Sequence, residues 1–357
     1  MKRTLALGLS IFPLLLCAQV IPFEDFNFYF RSFQNGKAEM VEFQRIEEYK
    51  AGDDLVAYLD NRGNLRVYDG KTKRDVANTN VVYNVSDHLM TWKIGSTLNL
   101  WDAGKLSTLT YNATSYAVKD SMVVYIDSRY NSINVYQRGE KKSIAQSTSV
   151  ISFPVAIGDN ILAYKDNGDF YKIYWNGTTT DIDVWQGDID FSAGADVIAF
   201  NDPTTRTFAV FDKGVFTDVE DFFVKKYIAG RGFVAYEDQN GNLIKFVNGE
   251  RQSLTNFATF WTVKDDVILW AENGVLKMEC GGKQWQVCNY IPNNYLLKNN
   301  VLVFTNAAGG VSVSIDGKTE IVSNQMDVSY SIYGSSVLLR LFNNSFIVYQ
   351  NGKKFQI

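Results

Sequence analysis

Short runs of three or four apolar residues, with no polar residue alternating between them, recur along the chain at a nearly constant distance. They read apolar, apolar, apolar or small, then aromatic. The first are Leu55-Val56-Ala57-Tyr58, Leu89-Met90-Thr91-Trp92 and Met122-Val123-Val124-Tyr125. Ile161-Leu162-Ala163-Tyr164, Val197-Ile198-Ala199-Phe200 and Phe233-Val234-Ala235-Tyr236 continue the series, followed by Val267-Ile268-Leu269-Trp270 and Val301-Leu302-Val303-Phe304. A ninth, Val337-Leu338-Leu339-Arg340, keeps the apolar run and loses the aromatic. The steps between them are 34, 33, 39, 36, 36, 34, 34 and 36 residues. A strand with one wet face alternates polar and apolar side chains, so an unbroken apolar run predicts a strand buried on both faces.

The rest of each unit repeats as well. A polar or glycine turn precedes the run, as in Gly52-Asp53-Asp54 and Gly158-Asp159-Asn160. A second turn follows it, then a strand ending on an aromatic and a glycine turn, as in Val67-Tyr68-Asp69-Gly70 and Val210-Phe211-Asp212-Lys213-Gly214. Asn-Gly and Asp-Gly pairs between apolar runs are strong hairpin signals. A third strand leaves that turn and a fourth leads into the next run. Four short strands repeated every 35 or so residues predict propeller blades, whose stacking supplies two dry faces. The expectation is an all-β chain: a single β-propeller of about nine short four-stranded blades, eight being the alternative count, with repeat units from about residue 44 onward. The segment Phe28 to Phe43 resembles the second half of a unit and matches the chain's end, Phe346 to Ile357. It is expected to close the ring by pairing with the last blade.

This pattern resembles the TolB-type (WD40-like) propeller repeat of bacterial periplasmic proteins. Gly52-Asp53-Asp54-Leu55-Val56-Ala57-Tyr58 and Gly63-Asn64-Leu65-Arg66-Val67-Tyr68-Asp69-Gly70 carry the likeness. That family's Trp-Ser-Pro-Asp-Gly turn is absent and the units are shorter. The resemblance implies a propeller in the bacterial cell envelope acting by protein interaction, with no active site.

The N-terminus fits that compartment. Lys2 and Arg3, an apolar run from Leu5 to Leu16, and Ala18 before Gln19 read as a signal peptide over residues 1–18, with the propeller domain over 19–357. Cys17 would suit a lipoprotein, but Leu16 is not the small residue a lipobox requires. The expected location is exported, in the periplasm or at the cell surface of a bacterium. No later stretch is apolar and long enough to span a bilayer, so the mature chain carries no transmembrane segment. Net charge is −4, becoming −6 without Lys2 and Arg3. That balance gives no electrostatic reason for a nucleic-acid partner. Cys280 and Cys288 flank a hairpin turn at Gly281-Gly282, which faces Cys288 with Val275 and leaves Cys280 ~17 Å away at about 3.3 Å per residue. A disulfide needs Cα atoms within roughly 7 Å, so both are expected as free thiols.

Catalytic chemistry is sparse. The one histidine, His88, sits in a turn, which leaves no histidine cluster for a metal and no triad with a Gly-x-Ser-x-Gly elbow. No cofactor is expected. Glu47, Glu48, Asp190, Glu220 and Asp221 lie outside the recurring turns, but nothing in the sequence pairs any two across a site. Asp120-Ser121-Met122 resembles a bacterial O-glycosylation acceptor and is also the turn into the third run. Among the tryptophans, Trp92 and Trp270 hold the aromatic place of the run and Trp101 and Trp175 that of the next strand. Trp185, Trp261 and Trp285 fall outside both. Trp261 precedes a run, in the strand expected nearest the channel, and is the candidate binding anchor. The functional expectation is a non-catalytic binding or scaffolding propeller, monomeric, presenting a ring face to an envelope protein or polysaccharide. The alternative is a glycan-active enzyme, a carboxylate-based glycoside hydrolase or lyase on the same fold.

Overall fold

The computed structural model describes residues 19–78, 81–182 and 187–357. The signal-peptide reading of residues 1–18 and the position of Trp185 lie outside them. The described chain forms thirty-nine strands in ten antiparallel sheets, nine of four strands and one of three. Each sheet is one blade, built from consecutive strands and arranged in a single ring. Blade 1 spans residues 21–42 and blade 2 residues 48–77, while blade 10 covers 329–356 and ends the chain.

Burial follows strand position. The second strand of a blade is the apolar run, and its first four residues are buried, as in Val56–Leu59, Met122–Asp127 and Val197–Asp202. The outer strand is exposed at its start and buried only at its end, as in Lys105–Thr110 and Glu250–Thr255. Neighbouring blades share their apolar clusters. Ile161, Ala163 and Tyr171 of blade 5 pack with Ile198, Phe200 and Phe211 of blade 6. Where the run closes on a tyrosine, as at Tyr58, Tyr125, Tyr164 and Tyr236, its hydroxyl reaches back to the preceding blade. Tyr58 donates to Glu42 at 2.9 Å, and Tyr164 donates to the Ile144 carbonyl at 3.2 Å.

Two expectations are corrected here. The ring has ten blades, not about nine. The missed one begins at Val20-Ile21-Pro22-Phe23, a further apolar run ending in an aromatic, 35 residues before Leu55. Pro22 hides its kinship. Residues 28–43 therefore do not pair with the last blade. Phe30–Gln34 hydrogen-bonds Ile21–Glu24 on one side and Lys37–Glu42 on the other. The ends of the chain meet through side chains instead. Phe23 lies 4.8 Å from Phe346 and Phe33 lies 5.2 Å from Phe355, centroid to centroid.

Blade 1 lacks the inner strand within the described residues. Tyr333 of blade 10 and Tyr49 of blade 2, both on inner strands, face each other at that place. Burial, then the neighbouring Tyr49, push the Tyr333 hydroxyl above its ordinary range. The cysteine hairpin also differs in register by one. Cys280 faces Lys283 as expected, but Cys288 faces Leu276 rather than Val275, because a β-bulge falls between Leu276 and Lys277. The same bulge recurs in eight of the ten blades. It adds twist to the outer strand, as bulges do. Both cysteines are free.

Candidate functional site

The two faces of the ring differ in chemistry. One face carries the turns that join inner to second strand and third to outer strand. The other carries the loops between second and third strands and the connections between blades.

On the turn face, equivalent turn positions of the four-stranded blades gather around the axis. Asp53, Asp87, Asp120, Asp159 and Asp265 occupy the same place in five turns, and Ala195, Arg231 and Asn299 occupy it in three others. Asp87, Asp120, Asp159, Ala195, Arg231 and Asp265 border a cavity of about 460 Å³ lined also by Lys264 and Lys298. These groups are used within the molecule. Every neighbouring pair of blades is stitched here by a hydrogen bond. The Val20 N–H donates to the Asp53 carbonyl and the Asp53 N–H to that of Asp87. The Asp87 N–H donates to the Asp120 carboxylate at 3.4 Å, and the Ser121 N–H and hydroxyl donate to Asp159 at 2.8 and 2.7 Å. The Asp159, Ala195 and Arg231 N–H groups donate to the carbonyls of Gly194, Gly230 and Asp265. The Asn299 N–H donates to Asp265, its side chain to the Gly334 carbonyl, and Gln19 closes the circle on the Tyr333 carbonyl. This approach is close enough to require glycine. A Cβ on Gly194 would lie 1.9 Å from the Gly230 carbonyl oxygen.

Two cations cross the mouth. Lys298 of blade 9 reaches Asp53 of blade 2 at 2.8 Å and Asp87 of blade 3 at 2.6 Å, and Arg231 of blade 7, paired with Asp266 of blade 8 at 2.6 Å, lies 3.9 Å from Asp120 of blade 4. Burial favours protonation of Asp53, but Lys298 and the Gly334 N–H outweigh it and hold the carboxyl below its usual range. Burial, with the Asp53 and Asp120 charges, pushes Asp87 up to about 6 against the Lys298 hydrogen bond. His88 pairs with Asp54 at 3.0 Å, and that hydrogen bond raises its imidazole to about 9 against burial. Among the described residues no group of three or more His, Cys, Asp or Glu is placed to hold a metal ion.

The loop face is apolar and unpaired by comparison. Twenty large hydrophobic side chains are exposed among the described residues. Thirteen lie in the loops and connections of this face and none in the turns of the other. Nine of the thirteen are aromatic, among them Phe26, Phe43, Tyr111, Phe223, Phe257 and Phe342. At about 150–250 Å² per aromatic side chain, half to three-quarters exposed, they present on the order of 1,000 Å².

The structure does not put the sequence-derived anchor on either face. Trp261 does lie on the inner strand of blade 8, but its side chain is 2% exposed. The Lys226 ammonium sits 3.8 Å over its ring, and its indole N–H donates to Glu237. It is a contact between blades. Trp92, Trp101 and Trp270 are buried, and Trp175 and Trp285 are half-buried with indole donors on Asp196 and Ser314. The Ser121 hydroxyl is engaged by Asp159. The five acids sit at three separate inter-blade connections, Glu220 taking the Tyr236 hydroxyl and Arg251. Repeat position alone could have found the turn-face ring, since its aspartates all occupy the second residue of their turns. The exposed loop aromatics lie in the irregular connections, where repeat alignment gives no signal.

A closed ring of ten four- or three-stranded blades, with one mouth bridged by its own side chains and one face of exposed aromatics, defines a large β-propeller. Residues 15–355 match the 10-bladed beta propeller domain family, and the chain belongs to that family. The match begins within the stretch read as a signal peptide. No curated protein matches the sequence. Among solved structures, the computationally designed Ika8 protein is similar at 14% identity and a TM-score of 0.34, over 75% of this chain and 94% of that one. Prp20p from Saccharomyces cerevisiae is similar at 10% identity and a TM-score of 0.34, over 68% and 72%. Tricorn protease is similar at 10% identity and a TM-score of 0.31, over 92% of this chain and 45% of that one.

Proposed function

We propose that this chain is a non-catalytic binding or scaffolding propeller, exported to a bacterial cell envelope, which presents its loop face to a protein or polysaccharide partner. The observation that carries the reading is the one-sided distribution of exposed aromatics. Water-exposed rings in that number cost solubility, and covering them offsets that cost. The turn face has a different economy, its charges being spent on stitching blades together. A broad face gathering loops from many blades suits a partner held by a few aromatic anchors among many weak contacts. The N-terminal pattern and the TolB-type resemblance support the envelope. The scattered acids favour binding over glycoside hydrolysis, which needs two carboxylates across one cleft.

The test is binding of purified protein to envelope fractions. Joint substitution Phe170→Ala, Phe223→Ala, Phe257→Ala and Phe342→Ala should weaken binding at least about ten-fold, or about 1.4 kcal/mol. Lys105→Ala, at a turn on the opposite face, should leave it unchanged. Equal binding by the four-fold variant overturns the reading, as does release of sugar products from the fractions. Exported material should begin at Gln19 by mass spectrometry, and retention of the whole chain in the cytoplasm would remove the envelope assignment.

A further inference from the structure

The loop face is not uniform, and its uneven charge points to a partner chemistry. Resting on the loop-face reading above, we propose that the sector running from the blade 7–8 connection through blade 10 to blade 1 binds a neutral polysaccharide, with a sugar unit seated in a pocket at the seam of the ring.

The connecting segments of this sector as far as blade 10 are residues 256–259, 273–274, 289–294, 306–310, 324–328 and 341–345. Together they hold 27 residues, of which one, Asp327, is charged and ten are Asn or Gln. Some of those amides are committed to their own turns. Asn306 accepts the Ala308 and Gly310 N–H groups, and Asn343 accepts from Ser345. Asn256, Asn293, Asn294, Asn324 and Gln325 are exposed. Phe257, Ile291, Met326 and Phe342 are exposed among them. The rest of the face differs: Asp166, Asp188, Arg206, Asp221 and Lys225 punctuate blades 5 to 7.

At the sector's end, blades 10 and 1 enclose a pocket of about 360 Å³. Phe23, Phe26, Phe346 and Ile357 form its apolar walls, with Asn343 and Asn344 at the rim. The two charges beside it cancel, Arg31 pairing with Asp25 at 2.6 Å. Phe26 is 74% exposed and Phe342, next to the rim, is 75% exposed. The volume falls within the roughly 300–1,000 Å³ of small-ligand sites.

This combination fits a neutral sugar polymer. A sugar ring has an apolar C–H face that packs on an aromatic ring, and hydroxyls that both donate and accept. Primary amides offer both roles without charge. An anionic polymer or a charged peptide would require a cluster of opposite charge on this surface, whereas the sector's charges are few and of both signs: Asp327, Arg340 held on Asn344, and the paired Asp25 and Arg31.

Native gel electrophoresis through dextran, mannan, laminarin or galactan, with heparin as the charged control, tests the assignment. At least one neutral polymer should retard the protein. Retardation should persist from about 0.05 M to about 1 M NaCl, where exposed charge pairs are screened. Phe26→Ala with Phe342→Ala should weaken it at least about ten-fold, at an unchanged unfolding temperature. Phe170→Ala with Phe223→Ala should leave it intact. Retardation by heparin alone, by no neutral polymer, or equally of the Phe26 and Phe342 variant overturns the proposal. A protein partner bound through Phe26 and Phe342, without neutral-polymer retardation, would overturn the glycan and leave the loop-face reading standing.

Discussion

Two residues show what repeat position does and does not reveal. Trp261 was placeable on an inner strand from sequence, but depth within the blade stack was not, because an indole on such a strand can face the channel or the next blade. The structure encloses it between Lys226 and Glu237. Trp261→Ala is therefore expected to cost about 3–5 kcal/mol, as for large-to-small changes in a packed core. Thermal unfolding checks this, and a variant that melts with the parent would return Trp261 to the surface. His88 was readable as a turn residue, whereas its charge partner 34 positions away was not. Its folded pKa of about 9 lies above the ordinary 6.5, so the folded state binds the proton more tightly than the unfolded chain. The stabilisation is fully present below 6.5 and lost as pH rises through about 9. The side chain is 54% exposed, so solvent screens the pair and the effect is small. Relative to His88→Ala, the parent's melting temperature should decline across that interval. Parallel curves for the two proteins would show that the Asp54 pair contributes nothing.

At the scale of a strand, the apolar run was the most legible feature of the chain, and the reason is physical. Only a strand covered on both sides by other blades tolerates apolar residues at consecutive positions, so the run announces its own burial. Tyr164 and Phe200 are each 1% exposed, at equivalent positions of blades 5 and 6. Replacing either with alanine should cost about 3–5 kcal/mol by chemical denaturation. Tyr164→Phe, which removes only the hydroxyl that reaches the Ile144 carbonyl, should cost about 1 kcal/mol. If the alanine variants unfold with the parent, the run is not the core of a blade. Less legible were the strand ends. The bulge between third and outer strands shifted Cys288 by one residue, and such bulges leave no trace in hydrophobic period because the outer strand has little of it. The loop aromatics were equally hidden. Phe26, Phe223 and Phe257 stand in connections of differing length and sequence, so no periodicity marks them as sharing a face.

For the whole molecule, blade count and ring closure are one question. A ring of nine blades beginning near residue 44 accounts for nine runs and leaves the N-terminal segment to find a partner. The structure makes that segment a blade of its own, and the family match agrees on ten. Blade 1 is then the keystone. Its Val20 and Phe30 pack against Val56, Tyr58 and Tyr68 of blade 2, and its Phe23 and Phe33 pack against Leu338, Phe346 and Val348 of blade 10. Among the described residues no strand is exchanged across the seam, and these side chains, with Gln19 and the bridge from Lys298 to Asp53, hold blades 1 and 10 together. In a repeat array each unit is stabilised mainly by its neighbours. A chain shortened to residues 45–357 would expose the buried flanks of both blades 2 and 10. Size-exclusion chromatography with light scattering should find it associating, and its unfolding should be broader and cooler than the parent's. Adding a peptide of residues 19–43 should restore the monomer, because the segment folds as a self-contained sheet and crosses into no other blade. Were the shortened chain monomeric with the parent's melting temperature, nine blades would close unaided, and the seam pocket between Phe26 and Phe346 would lose its structural basis.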